Sequence, residues 1–252
     1  MDHEIENRIK TAYRETASVY RKNDELDATG KDHQRLCEIL GMLSGSFGRP
    51  ITVLDAGCGA GRYFHCLKNT RRLVGLDVSS EMLQEARHPV KEEEVSVAEI
   101  ELVGGNVHTQ SFPEKSFDLI YSIGVFGNGC GLSMELLSKF HQWLTPDGRV
   151  FFDAFDSSEL PRVFRIRKRI SNYLHQFPIL NIRNRFRKER PESLPFYYYS
   201  KAEIVRLLEA SGFFPVAVYP QECPMPLGEG RKLQCLASKS DQGKSPCCCR
   251  AA

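Results

Sequence analysis

Val53-Leu54-Asp55-Ala56-Gly57-Cys58-Gly59-Ala60-Gly61 is the stretch whose reading decides the fold. Ile51 to Asp55 is a short apolar run between Pro50 and a glycine cluster, the pattern of a strand buried on both faces of a parallel sheet. Glycines at alternate positions directly after such a strand let a ligand approach the main chain closely. Several nucleotide sites use such a turn, and the residues beyond it separate them. A dinucleotide turn of the form G-x-G-x-x-G/A needs Gly or Ala at its sixth position, which counted from Gly57 is Arg62. No Gly-Lys-Ser/Thr follows, so the Walker pattern fails as well. A second buried run, Arg72 to Asp77, ends in a carboxylate at about the 20-residue separation that suits a bond to ribose hydroxyls. Together these features indicate an adenosine-type ligand at the carboxyl edge of the sheet.

Working outward, Ile5, Ile9, Ala12, Tyr13 and Thr16, then Leu36, Ile39, Leu40 and Leu43, recur at helical spacing, so two amphipathic helices precede the first strand. A helix starting near Gly61 and burying Phe64 and Leu67 is expected after the glycines. Ser79-Ser80-Glu81 reads as the capped start of another, with Met82, Leu83 and Ala86 on its apolar face. Ile100 to Gly104 and Phe117 to Ile123 read as the third and fourth strands. Leu132, Leu136, Leu137, Phe140, Trp143 and Leu144 mark a helix, and the turn Thr145-Pro146-Asp147-Gly148 leads into the strand Arg149 to Phe155. Ser200-Lys201-Ala202-Glu203 is a capping box, Gly212 closes its helix, and Phe213 to Tyr219 and Lys232 to Ser238 finish as strands. The alternation predicts an α/β domain, doubly wound, with helices on both faces of a mostly parallel sheet.

Composition sets wider bounds. With 41% hydrophobic and 26% charged residues the chain is of ordinary globular type. A net charge of +2 is too mild to demand nucleic acid. Neither an apolar run long enough to span a membrane nor the basic and apolar regions of a signal peptide is present, so a cytoplasmic location is expected. Cys37, Cys58, Cys66, Cys130, Cys223 and Cys235 are scattered singly without a CxxC pair, which predicts reduced thiols and no metal.

The strings Leu54 to Arg62, Gly75-Leu76-Asp77, Phe117-Asp118-Leu119-Ile120 and Leu144 to Arg149 resemble the successive motifs of the class I S-adenosylmethionine-dependent methyltransferases, a Rossmann-like domain family. The resemblance covers about Pro50 to Phe155. It implies a seven-stranded sheet with the last strand antiparallel, S-adenosyl-L-methionine as cofactor, and a domain over 1–240 that includes N-terminal helices in 1–48. It also implies that Asp55 holds the amino group of the methionine moiety beside Gly57, Gly59 and Gly61, and that Asp77 binds the ribose. Asn106 and Val107 would meet the adenine, and Ser122 with Ile123 would line the floor beneath the sulfonium. Many members carry Asp where Asn106 stands; Asn can still accept a bond through its carbonyl oxygen.

The methyl acceptor is less legible, because a sulfonium methyl is already electrophilic and a dedicated base is optional. Ser122-Ile123-Gly124-Val125-Phe126 lacks the Asn/Asp-Pro-Pro-aromatic motif of members acting on amide-type nitrogens, and no Pro-Cys pair makes Cys130 a nucleophile. His65 and His141 fall on expected helices. His108, after the third strand, is the weak candidate for acid/base work. Tyr197, Tyr198 and Tyr199 are weak candidates for an acceptor pocket, with core packing the competing reading. From Arg162 to Arg190 ten Lys/Arg face the single acid Glu189, around an apolar stripe of Val163, Ile166, Ile170, Tyr173, Leu174 and Phe177. A basic amphipathic lid insertion over 162–196 is expected, either a solvated cationic face or a contact for an anionic, lipid-like acceptor or an anionic membrane surface. Residues 241–252, with Cys247 to Cys249, read as a disordered tail. Three function classes follow: methyl transfer to a small-molecule or lipid-like acceptor, RNA modification, and a non-catalytic module binding cofactor or partner.

Overall fold

The computed structural model describes residues 3–127, 129–159, 194–225 and 228–239. The expected basic insertion, apart from 194–196, and the tail at 241–252 lie outside the described residues. Seven strands form a single sheet: β1 (Ile51–Ala56), β2 (Thr70–Asp77), β3 (Glu99–Gly104), β4 (Phe117–Phe126), β5 (Leu144–Phe155), β6 (Val216–Met225) and β7 (Gly228–Ser238). Their order is β3-β2-β1-β4-β5-β7-β6. Every pairing from β3 to β5 is parallel, and β7 runs antiparallel to both of its neighbours. Strand order reverses between β1 and β4, and ligands of open α/β sheets sit outside the carboxyl ends of the strands at such a point.

The helices are α1 (His3–Asp27), α2 (Lys31–Gly45), α3 (Ser80–Glu85), α4 (Met134–Trp143) and α5 (Lys201–Ala210). Alternation along β1 sends Leu54 and Ala56 to one face, where Phe140 and Trp143 of α4 and Ile204 and Leu208 of α5 cover them. Ile51 and Val53 go to the other, beneath Leu36, Leu40 and Leu43 of α2 and Phe64. The expected caps form: Ser79 Oγ accepts from Met82 N, and Ser200 with Glu203 makes a reciprocal capping box. Asp118, part of a motif string, lies at the opposite end of the sheet from the glycine turn. There it takes Arg49 Nη2 at 2.6 Å, Thr52 N at 2.9 Å and Thr145 Oγ1 at 3.1 Å, a structural clamp that holds its carboxyl below the usual range.

Two expectations need correction. The helix after the glycines is absent: residues 60–63 turn, Phe64–Cys66 is a single 3₁₀ turn, and the chain then enters β2. Gly59 and Gly61 both have positive φ, and Asn69 adopts φ +50°, so only a few residues separate conformations that no right-handed helix accommodates. Phe64 and Leu67 are nonetheless buried, as the apolar pattern required. The cysteines also depart from expectation, because Cys37 and Cys66 are joined as a disulfide. They lie 29 residues apart and meet because α2 packs on the 3₁₀ turn.

Candidate active site at the carboxyl edge of the sheet

A cavity of about 740 Å³ opens where β1 and β4 diverge, lined by Asp55, Gly57, Cys58, Gly59, Ala60, Leu76, Asp77, Asn106 and Val107 among others. Gly57, Gly59 and Gly61 all have positive φ. A Cβ on Gly57 would stand 2.2 Å from Val125 Cγ2, and one on Gly61 2.8 Å from Pro89, so neither position has room for a side chain. Gly124, also on the cavity wall, has nothing within 4 Å of where its Cβ would be. The turn is held against β2 by hydrogen bonds from Gly57 N (2.7 Å) and Cys58 N (3.0 Å) to the Leu76 carbonyl.

Two buried carboxyls flank the turn in different hydrogen-bonding environments. Asp77 accepts from Gly59 N and Ser79 N, each at 2.9 Å, and thereby joins the glycine loop to the cap of α3. Burial pushes its carboxyl up, and those N–H groups pull it back. Among the described residues no cation stands beside Asp55. Burial pushes it up to about 8; the Tyr121 hydroxyl against it lowers it in part, and the Asp77 charge raises it. That hydroxyl is buried and outside normal hydrogen-bond geometry. A cationic group at this end of the cavity would let Asp55 ionise, so the pair fits the ammonium of an amino-acid moiety.

Asn106 is buried, with its Oδ1 accepting from His108 N (2.9 Å) and its Nδ2 donating to Glu6 on α1 (2.7 Å). Val107 lies beside it on the wall. Ser122 does not face the cavity: its hydroxyl donates to the Ala56 carbonyl at 2.6 Å, and Ile123 takes the wall position. His108 Nε2 lies 3.5 Å from Cys130 Sγ, and burial lowers the imidazole pKa. Burial drives the Cys130 thiol up to about 12, so it stays protonated and is no nucleophile. Tyr199 gives its hydroxyl oxygen to Leu132 N (2.6 Å), Tyr198 packs on Phe155, and the Tyr197 ring lies against Gly131; none of the three lines the cavity.

The opposite wall carries residues without a motif. Ile9, Tyr13, Tyr20 and Asp24 of α1, His33, Arg35 and Leu36 of α2, and Arg62 face the glycine turn across the cavity. Arg62 pairs with Asp24 at 3.0 Å and Asp27 at 3.6 Å. The far end is polar: Asp153 accepts from Gly124 N and Lys232 Nζ, both at 2.7 Å, and Arg35 donates to Gln234 at 2.8 Å. The signal that could have found this wall is the seven-residue spacing of Tyr13 and Tyr20, two helical turns, on an otherwise polar helix.

Residues 53–148 match the family model described as a methyltransferase domain. The malonyl-acyl-carrier-protein O-methyltransferase of Salmonella typhimurium is 27% identical over 66% of this chain and 61% of its own length. The demethylmenaquinone methyltransferase of Oceanobacillus iheyensis is 31% identical over 39% of this chain and 42% of its own. The chain thus spans about two-fifths to three-fifths of the length of these curated relatives. Among solved structures, the 1,6-didemethyltoxoflavin-N1-methyltransferase of Burkholderia thailandensis, with its substrate and S-adenosylhomocysteine bound, superposes with a TM-score of 0.59 at 21% identity, covering 96% of this chain and 91% of its own. The motif strings, the sheet order and the matched segment agree: residues 53–148 match a methyltransferase domain, on a sheet of the Rossmann-like methyltransferase fold.

Proposed function

We propose that this chain binds S-adenosylmethionine in the cavity at the β1/β4 switch point and transfers its methyl group to a small-molecule acceptor. The observation that carries this reading is the buried Asp55, with no cation beside it among the described residues, next to a glycine turn in which Gly57 and Gly61 have no room for a side chain. Asp55 ionises against the methionine ammonium. Gly57, Gly59 and Gly61 let the main chain approach, Asp77, each of whose oxygens already accepts one main-chain N–H, offers its remaining lone pairs to the ribose hydroxyls, and Val107 packs on the adenine. Asn106 recognises the adenine only if its bond to Glu6 or to His108 N is exchanged for one to the ligand, because both ends of its amide are engaged. Ser122 acts one step back, by fixing the carbonyl of Ala56.

The bound cofactor supplies an electrophilic methyl on sulfur; the chain has to align the acceptor and exclude water. The acceptor lies toward the polar end of the cavity, near Asp153, Lys232 and Gln234. Asp153 is already bound by Gly124 N and Lys232, so it orients rather than takes a proton. Relatives named for a malonyl-carrier ester, a demethylmenaquinone and a toxoflavin precursor support a small or carrier-borne acceptor over RNA. Among the described residues no helix is long and apolar enough to cross a membrane. The test is a thermal titration followed by transfer of labelled methyl into fractionated extract. At about 100 times its Kd, S-adenosylmethionine should add about 2.7 kcal/mol of stability and nicotinamide dinucleotides far less, and label should enter small molecules. The reverse ligand order, or label confined to RNA, would overturn the reading.

A further inference from the structure

We propose that the reduced chain carries a zinc site formed by His33 and Cys37 of α2 with His65 and Cys66 of the 3₁₀ turn. The inference is independent of the methyl-transfer reading. One ligand atom from each of the four residues lies within 4.8 Å of all the others. His33 Nε2 stands 3.4 Å from His65 Nε2 and 3.4 Å from Cys37 Sγ, and His65 Nε2 stands 3.7 Å from Cys37 Sγ and 3.5 Å from Cys66 Sγ. Tetrahedral zinc with bonds of about 2.3 Å to sulfur and about 2.0–2.1 Å to nitrogen sets N···N near 3.3 Å and N···S near 3.6 Å. These four separations match those edges. The sulfur–sulfur edge does not, because the two cysteines are joined as a disulfide.

A disulfide alone gives no reason for two imidazoles to turn their Nε2 atoms toward each other and toward sulfur. Four groups rich in lone pairs converging on one point are satisfied together by a cation. The rings are stacked, with centroids 5.3 Å apart and planes 18° from parallel. His65 Nδ1 is buried without a hydrogen bond of normal geometry. With its Nε2 turned toward the other three donors, the ring can ligate through Nε2 and keep its proton on Nδ1. Arg62 Nε approaches His33 Nδ1 at 3.4 Å. Metal on Nε2 puts the ring proton on Nδ1, so this contact yields and Arg62 retains Asp24 and Asp27. The mixed N₂S₂ donor set favours zinc over the hard cations. Two thiolates balance the charge of the ion.

Loading begins with a low-molecular-weight thiol opening the Cys37–Cys66 bond. Two reductant molecules supply two electrons and two protons, two cysteine thiols form, and the reductant leaves as its own disulfide. Zinc then takes both sulfurs as thiolates and two protons pass to solvent. His33 also lines the cavity, so the ion would fasten α2 to the 3₁₀ turn at the edge of the cavity wall.

The test uses the full chain purified with zinc under thiol reductant. Elemental analysis should find about one zinc per chain, and cobalt substitution should give a thiolate charge-transfer band with the d–d bands of a tetrahedral centre. Cys37→Ser, Cys66→Ser and His65→Ala should each weaken binding by more than the 10–100-fold that loss of an outer-shell partner costs. Cys235→Ser, a buried thiol elsewhere, should bind as the parent does. Should the ligand variants fail to fold, the cobalt spectrum of the parent decides. A reduced parent with neither zinc nor a cobalt–thiolate band, or a soluble Cys37→Ser variant that binds zinc as the parent does, overturns the proposal.

Discussion

The cavity has two walls built on different physics. The sheet wall is made of strand ends whose main chain is paired on both sides and whose glycines are locked by Val125 and Pro89. The α1 part of the helical wall rests on a small apolar patch of Tyr13, Ala17, Ala60 and Met82 and on the buried Ile9, and makes polar contacts besides: Glu6 to Asn106, Arg14 to Glu81, Asp24 to Arg62 and Arg21 to the His88 carbonyl. Dense packing transmits any change of shape, whereas exposed ion pairs contribute about 0–1 kcal/mol each. The sheet wall should therefore tolerate almost nothing, and the helical wall should lose its contacts one at a time.

Gly57→Ala tests the first half most severely. At φ +95° a side chain costs about 1–2 kcal/mol, and overpacking against Val125 adds about 1–3 kcal/mol. Chemical denaturation should show a loss of about 2–5 kcal/mol, and calorimetry should show cofactor binding gone. A variant that binds as the parent does would mean that the turn is not the cradle.

Asp77→Ala should come next. A hydrogen bond to a charged group is worth about 1.5–3 kcal/mol, so affinity should fall about 10- to 150-fold, with some stability lost because Gly59 N and Ser79 N lose their acceptor. Asp77→Asn keeps one acceptor oxygen and should fall between. If the two variants bind equally well, the carboxylate charge does not contribute.

Asp55 gives a pH signature. Its folded pKa, about 8, lies above the usual carboxylate value of 3.8, so between those values the folded chain holds a proton that the unfolded chain has released. Stability from this group is present in full below about pH 4 and lost as pH rises toward 8. Asp55→Asn should flatten that fall in the ligand-free protein. In the parent at pH 7, cofactor binding should release a proton to buffer, seen as a binding enthalpy that changes with the ionisation enthalpy of the buffer. A parent and variant with the same pH–stability slope would place Asp55 in a solvated setting.

The same contrast explains what was legible in the sequence. Asp55, Gly57, Gly59, Gly61 and Asp77 belong to one strand, the turn after it and the adjacent parallel strand, so their spacing along the chain fixes their spacing in the cavity. Burial periodicity located the strands for the same local reason. Residues that meet by tertiary packing leave no such spacing: α1 crosses 100 residues of sequence to reach Asn106, and Cys37 meets Cys66 across 29. Even so, His33 and Cys37 stand one helical turn apart on α2 and His65 adjoins Cys66, two half-sites visible separately but not as a pair. Ser122 was placed in the cavity by family pattern, and its side chain turned to the Ala56 carbonyl instead because a buried hydroxyl needs a partner. The helix expected after Gly61 is absent because the positive-φ Gly61 and Asn69 leave too short a run between them for apolar spacing to set a helix.

The smallest effect belongs to the helical wall. Arg62→Gln removes the cation paired with Asp24 and Asp27, of which Asp24 is the more buried. Burial raises the Asp24 carboxyl and Arg62 lowers it, so without the guanidinium Asp24 takes up a proton instead of staying as an unpaired charge. The loss is thereby capped, and stability should fall by about 1 kcal/mol or less. Cofactor affinity should change by less than about threefold, since the glycine turn and Asp77 keep their geometry. What should change is local: hydrogen exchange should quicken along α1 and leave β1 and β4 protected, because opening α1 breaks few buried apolar contacts. Raising salt from about 0.1 M to about 1 M shortens the screening length from about 10 Å to about 3 Å and should quicken exchange in α1 of the parent in the same direction. Exchange that quickened equally in α1 and the sheet would show the two walls opening as one unit, and the contrast between them would fail.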